Sequence, residues 1–296
     1  MSIPFYPALF LLAALWGGSF LFMRIAAPVL GPVGLIEVRV LLAGLALLPL
    51  VMRRGQLAQL RDNWRLLLWV GLLNAALPFT LLAYSSLYLT AGTTSILNAT
   101  VPIFGALIGF LVYRQALDRR RAFGVLLGFA GVVVLVGLPQ AGEARSLPAV
   151  VVGLAAAVSY VFAANLARNR LGHVSGLVFV TGSQLGAAAI LLPLLPFFPP
   201  PATPGALVLG AVLALALLST SLAFLIYIQM IREVGPQRTL TVTYLIPLFA
   251  IAWGALLLDE SLSLSMLIGG GLILLGVALA NRRPPPVPGA PLPERR

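Results

Sequence analysis

Of the 296 residues, 60% are hydrophobic and 9% are charged, where a soluble domain carries roughly 25% charged residues, so much of this chain must be solvated by lipid. There is no cysteine, which excludes disulfides and thiol chemistry, and every one of the nineteen positive charges is an arginine, which excludes a P-loop, a Schiff-base lysine and a Ser–Lys dyad. A net charge of +11 would suit nucleic acid, but the arginines stand between apolar segments, where topology and headgroup contact account for them; the partner is the lipid bilayer and no nucleic acid is expected.

The opening stretch "MSIPFYPALF" has no basic region, and the apolar run continues to about residue 27 without a small-residue cleavage site. This reads as a retained transmembrane helix, not a cleaved signal peptide. A span needs roughly 17–25 apolar residues. Ten are read, at 5–27, 33–53, 64–88, 91–113, 120–138, 147–168, 174–197, 204–231, 235–258 and 262–281. The fold class is an all-α polytopic membrane protein. The tail 282–296, "RRPPPVPGAPLPERR", cannot span and reads as disordered.

With ten spans both termini share one side. That side receives Arg53, Arg54, Arg61, Arg65, Arg114, Arg119, Arg120, Arg121, Arg168, Arg170, Arg232, Arg238, Arg282, Arg283, Arg295 and Arg296, sixteen of the nineteen. Arg145, with Arg24 and Arg39 near helix ends, falls on the other. Positive charge marks the cytoplasmic side, which places both termini in the cytoplasm of an inner-membrane protein.

The chain also repeats itself. At an offset of 145, Pro102 meets Pro247, Phe104 meets Phe249, Gly109 meets Gly254, Gly124 meets Gly269 and Gly131 meets Gly276. At 144, Trp16 meets Tyr160 and Arg24 meets Arg168; at 143, Tyr84 meets Tyr227 and Gly92 meets Gly235; at 142, Gly44 meets Gly186. The repeats are 1–140 and 141–281, five spans each. Five is odd, so the second copy enters the membrane inverted. The basic "YRQALDRRR" after Pro102 and the acidic "LDESLSLS" after Pro247 agree with opposite compartments. Inverted repeats build alternating-access transporters with substrate near the midplane.

These residues resemble the EamA type of the drug/metabolite transporter superfamily. Its pattern is a proline in the fourth span, an acid thirteen positions on, then a hydrophobic residue and spaced glycines. The second half holds it as Pro247, Glu260, Leu262, Gly269 and Gly276, and the first as Pro102, Gln115, Leu117, Gly124 and Gly131, with Gln115 in place of the acid. "LWGGSF" at 15–20 is similar to the family's first-span motif. The resemblance implies a ten-helix exporter of amino acids and other small metabolites, most like the aromatic amino-acid branch. It implies no enzyme activity and no cofactor. A monomer would be sufficient, and a dimer is left open.

Polar groups at mid-depth are costly and rarely idle. Those expected to touch substrate are Trp16, Ser19, Asn74, Thr80, Tyr84, Asn98, Ser159, Tyr160, Asn165, Gln184, Tyr227 and Tyr244. Aromatic walls would stack on planar side chains and attract an ammonium group. The bland alternative is hydrogen bonding within or between helices for the hydroxyls, and packing for the rings. Pro78, Pro102, Gly105 and Pro247 are read as hinges, or as static kinks that shape a cavity. Glu37 and Arg39 are read as interfacial anchors, with a pathway or gating pair as the alternative. No acid or histidine is placed at mid-depth, so a facilitator is expected rather than a carboxylate proton relay. A membrane protease lacks its catalytic residues here: His173 is the lone histidine, and no metal site is expected. A sugar-phosphate or nucleotide-sugar carrier would need cations in the cavity, for which Arg39 is the one candidate.

Overall fold

A computed structural model of the protein describes residues 4–136 and 146–281, which are helical and hold no strand. The 140/141 repeat boundary, Arg145 and the 282–296 tail with its four arginines lie outside the described residues. The first helix, α1 (Phe5–Arg53), is 49 residues long and bends at Gly31, whose φ of 70° and ψ of 155° no helix contains. Pro32 drives the residue before it out of the helical region, and only glycine takes that φ cheaply. The bend falls in the gap left by the sequence between its first two spans.

After the short α2 (Leu57–Asp62), α3 (Trp64–Tyr88) crosses with one π turn at Leu72–Ala76. The fourth span is divided: α4 (Ala91–Asn98) ends in a turn at Ala99 and Thr100, and α5 (Val101–Leu111) follows. Next come α6 (Arg119–Val136), α7 (Ser146–Arg170) and α8 (Gly176–Leu191), the last continued by a 3-10 turn, Leu192–Phe197. A second π segment, Ala214–Leu222, lies inside α9 (Ala206–Val234). A single turn, Pro236–Thr239, leads into α10 (Val242–Leu258), and α11 (Leu264–Ala280) ends the bundle. Thr90, Ser175 and Ser263 cap α4, α8 and α11 by accepting a backbone N–H three residues on.

Seven helices among the described residues are long and apolar enough to cross a membrane. The ten expected spans count differently because the first two share α1, α6 opens on three arginines, and α11 has 17 residues. Phe10, Leu45, Leu126, Leu209, Leu248 and Leu275 face outward, as lipid-solvated helices require, while Leu12, Met23, Ile36, Phe79, Leu215 and Ala250 share the main core.

Prolines depart from a simple kink. Pro102 is not inside a helix; it sits in the first turn of α5, where a missing N–H costs little. Pro78 follows the π turn, which widens the helix beneath its ring. Pro247 alone of the three lies within a continuous helix.

Small residues let α6 and α11 approach closely. A Cβ on Gly124 would lie 2.7 Å from the Gly276 carbonyl oxygen, and one on Gly276 would lie 2.6 Å from that of Gly124. Gly131 and Gly269 face each other in the same way, at 2.7 Å in both directions. Since Gly124 corresponds to Gly269 and Gly131 to Gly276, each position touches the counterpart of the other, the signature of a two-fold contact. Two further features recur at the sequence offsets. Among the described residues, Arg114 and Asp259, 145 apart, are the non-glycine residues with positive φ, each 53°. The π turn at Leu72–Ala76 maps, 143 residues on, into the π segment Ala214–Leu222.

Gly124→Val should therefore push α6 from α11 and destabilise the protein by about 1–3 kcal/mol. Gly271→Ala, where nothing lies within 4 Å, should be neutral. Thermal unfolding in detergent checks both.

Candidate functional site

The interior holds an aromatic and polar lane where α1, α3, α7 and α9 meet. Trp16 packs against Tyr227 at 5.1 Å and Phe224 at 5.8 Å between ring centroids. Tyr160 stands edge-on to Phe79 at 6.4 Å. The Arg39 guanidinium lies over the same Phe79 ring, 3.7 Å from its centroid, and its Nε donates to Thr220 Oγ1 at 3.0 Å. Ser159 donates to the Leu73 carbonyl at 2.7 Å, in the π turn that also holds the half-buried Asn74. Ser19, Thr80, Gln184 and Ser219 each bury a side-chain polar atom that has no partner, as does Asn98 at the end of α4.

Of the expected substrate residues, Trp16, Tyr160 and Tyr227 join one apolar cluster. Others stand apart. Tyr84 pairs with the exposed Tyr88 at 5.3 Å, and Asn165 accepts from Arg168 and Asn169 near the helix end. Tyr244 packs in a separate cluster with Ile96 and Met266, its hydroxyl accepting from Asn281. A Cβ on Gly105 would lie 4.0 Å from the Val161 side chain.

Glu37 and Arg39 are not interfacial anchors. They are 2% and 4% exposed, and both Glu37 carboxylate oxygens lack a partner. Sequence periodicity alone could not bury them, because burial depends on which helices close over that face of α1.

A second polar centre, absent from the sequence reading, closes one end of the bundle. Arg24 donates to the Ser86 and Leu87 carbonyls at 2.7 and 2.9 Å, at the last turn of α3. It also lies 3.5 Å from Glu260. Both Glu260 oxygens accept the Ala91 N–H, at 3.1 and 2.9 Å, at the start of α4, where the helix dipole favours an anion. The αL residue Asp259 and a bond from the Glu260 N–H to Gly254 O fix this carboxylate. Burial lifts its pKa above the usual carboxylate range, against the opposing pulls of the Ala91 amide, Arg24 and the Gly92 amide.

The corresponding residues at the other end are not in contact. Gln115 is held by the same local turn, its N–H donating to Gly109 O at 2.9 Å, yet its side chain is exposed. Arg168, the counterpart of Arg24, is exposed and donates to Asn165. A Cβ on Gly92 would meet Ile251 at 2.8 Å and Met266 at 3.1 Å, but its counterpart Gly235 has nothing within 4 Å. The Arg24–Glu260 end is packed, and the Gly235 end lacks the matching contacts.

The profile of the EamA-like transporter family matches the chain in two stretches, residues 5–137 and 147–282. A probable terminal-alkyne amino-acid exporter of Streptantibioticus cattleyicolor is 28% identical over 93% of this chain and 93% of its own. The uncharacterized inner membrane transporter YedA of Escherichia coli K12 is 27% identical over 94% and 91%, and the uncharacterized transporter YvbV of Bacillus subtilis 24% over 92% and 90%. A solved crystal structure with 21% identity superposes with a TM-score of 0.65, covering 92% of this chain and 95% of the other, which shows the shared fold.

The chain has no native cysteine, so single cysteines report each end cleanly. Val234→Cys should react quickly with a polar thiol reagent and Ala91→Cys, at a position 0% exposed, slowly. Glu260→Ala should speed labelling at 91. The shut end holds the Glu260 carboxyl above its usual range, so a proton binds the shut state more tightly than a hydrated, parted one. Labelling at 91 should therefore slow as pH falls from neutral into the mildly acid range.

Proposed function

Because the chain belongs to the EamA-like transporter family, we propose that it exports amino acids, aromatic and other neutral ones, across the inner membrane by alternating access. Ten spans form two inverted five-helix repeats. The observation that carries this is the pairing of two-fold contacts with unequal ends: Gly124–Gly276 and Gly131–Gly269 match, while Gly92 is packed and Gly235 is open. A transporter caught in one of two states has that asymmetry. The two stretches matched by the family profile support the repeat.

Orientation follows from arginine placement. The parted end carries Arg168, Arg232 and Arg238 and is cytoplasmic, with both termini; the end shut by Glu260 is outer. The protein is thus ready to load from inside. Aromatic substrates suit the ring-lined lane of Trp16, Phe79, Tyr160 and Tyr227. The exporter name borne by the Streptantibioticus relative supports the solute class. Other small metabolites or cationic drugs are the alternative cargo, and a single chain suffices.

The transporter acts as a facilitator. Proton-coupled exchange is the second reading, favoured by one observation: Glu37 is buried without a partner.

Purified protein in liposomes preloaded with phenylalanine should take up labelled phenylalanine by counterflow, and Glu37→Gln should leave the rate and its pH profile unchanged. No uptake across a broad amino-acid panel with folded protein would overturn the exporter reading. A pH-dependent flux abolished by Glu37→Gln would replace the facilitator with proton exchange.

A further inference from the structure

We propose that Arg39 is the carboxylate subsite of the transport pathway, with Trp16 and Tyr227 forming the wall for the rest of the solute. The proposal rests on the transporter reading and names the part of the solute that the protein grips.

Arg39 is a buried cation without an anion. It is 4% exposed, and among the described residues no carboxylate lies within 4 Å of it. Glu37 is two positions away on the same helix, so the two side chains do not face each other. The contacts it does make orient it without neutralising it. Thr220 sends its own proton to the Leu215 carbonyl at 2.8 Å, a bond made possible by the π segment, which leaves an oxygen lone pair aimed at Arg39 Nε. Phe79 supports the flat face of the guanidinium, and Met23 Sδ lies 4.0 Å from one terminal nitrogen. A planar fork held this way is the donor geometry that carboxylates take in bidentate fashion.

The surroundings supply further unpaired polar atoms. Thr80 follows Phe79, Ser219 precedes Thr220, and Ser19 stands one turn before Met23; each has a buried hydroxyl oxygen with no partner. Three orphaned hydroxyls on the same helix turns as the residues that touch this unneutralised cation describe a place built for a polar group that comes and goes. Along α1, Trp16 lies two turns before Met23 on the same face, about 10 Å away. A solute with a carboxylate at Arg39 and a flat apolar end at the Trp16–Tyr227 pair fits that span. The chemical class is therefore a monocarboxylate with an aromatic or other apolar body.

Full-length protein in detergent separates this from the transport reading, because stabilisation by ligand requires only binding. Phenylacetate should raise the unfolding midpoint of the wild type, and its neutral isostere phenylacetamide should not. Arg39→Gln should lose the phenylacetate shift, and Arg39→Lys, which keeps the charge but not the fork, should weaken it. Both variants should raise the KM for phenylalanine counterflow roughly tenfold or more. If Arg39→Gln does not elute as folded protein, Arg39→Lys carries the same comparison. Equal stabilisation by the acid and the amide, or a phenylacetate shift that survives in Arg39→Gln, overturns the subsite. Stronger stabilisation by inorganic phosphate than by phenylacetate overturns the carboxylate class. An Arg39-dependent phenylacetate shift without phenylalanine counterflow leaves the subsite standing and removes the amino-acid reading instead.

Discussion

Hydrocarbon offers no hydrogen bonds, and every feature of this bundle answers to that constraint. Helices satisfy their own backbones, so the chain departs from helix only where something else supplies partners. Most hydroxyls follow the same rule by bonding back to a carbonyl, as Ser86 does to Leu82, Thr100 to Leu97 and Ser183 to Val180. Ser221 reaches across to Ala43 as well. Against this background the unpaired groups stand out. Ser19, Thr80, Gln184 and Ser219 bury polar atoms inside the bundle without a partner, and Arg39 has a ring and a hydroxyl for company but no counter-charge. A membrane interior tolerates such a set only where a polar ligand or water is meant to enter.

The two halves share local devices but not their surroundings. Gly254 and Gly109 each make room for the side chain six residues on, and Asp259 and Arg114 each turn the chain through αL to present it. What is presented differs: Glu260 on one side, Gln115 on the other. A carboxylate at a helix N-terminus binds two ways at once, through the dipole and through Arg24. An amide in the same place has no charge to offer Arg168. The two ends of an alternating-access cycle would then close on different contacts.

Much of the fold was legible because lipid solvation writes itself into composition. Span positions and the bend before Pro32 follow from apolar length and from proline. Small residues at a constant offset are legible in both halves, but that they bring α6 against α11 is seen only in the bundle. What stayed hidden depends on tertiary facing. The π turns leave no trace in the periodicity, and Pro102 looks like an interior kink until the break at Ala99 is seen one turn upstream. Glu37 and Arg39 sit near the start of a span, where charges are ordinarily wet; only the closure of α3 and α9 over α1 makes them buried. Tyr84, Asn165 and Tyr244 share the chemistry of site residues, yet each points to a neighbour outside the lane. Depth along a helix can be counted from sequence, but the direction a side chain faces cannot.

The helix α1 joins the features that matter. Its first half carries Trp16, Ser19 and Met23 on the lane and Arg24 at the shut end; its second half, beyond the bend at Gly31, carries Arg39. Gly31 already lies outside helical geometry, so a change of angle there breaks no regular helical turn. A solute held by Arg39 at one end and by Trp16 at the other would bridge the two halves across that bend. Any change in the bend angle demanded by binding is then felt at Arg24, seven residues before Gly31, where it grips the carbonyls of α3 and the Glu260 carboxylate. Under this reading the coupling between occupancy and the outer gate needs no relay through other helices. One helix, bent at one glycine, would then hold both the ligand and the latch.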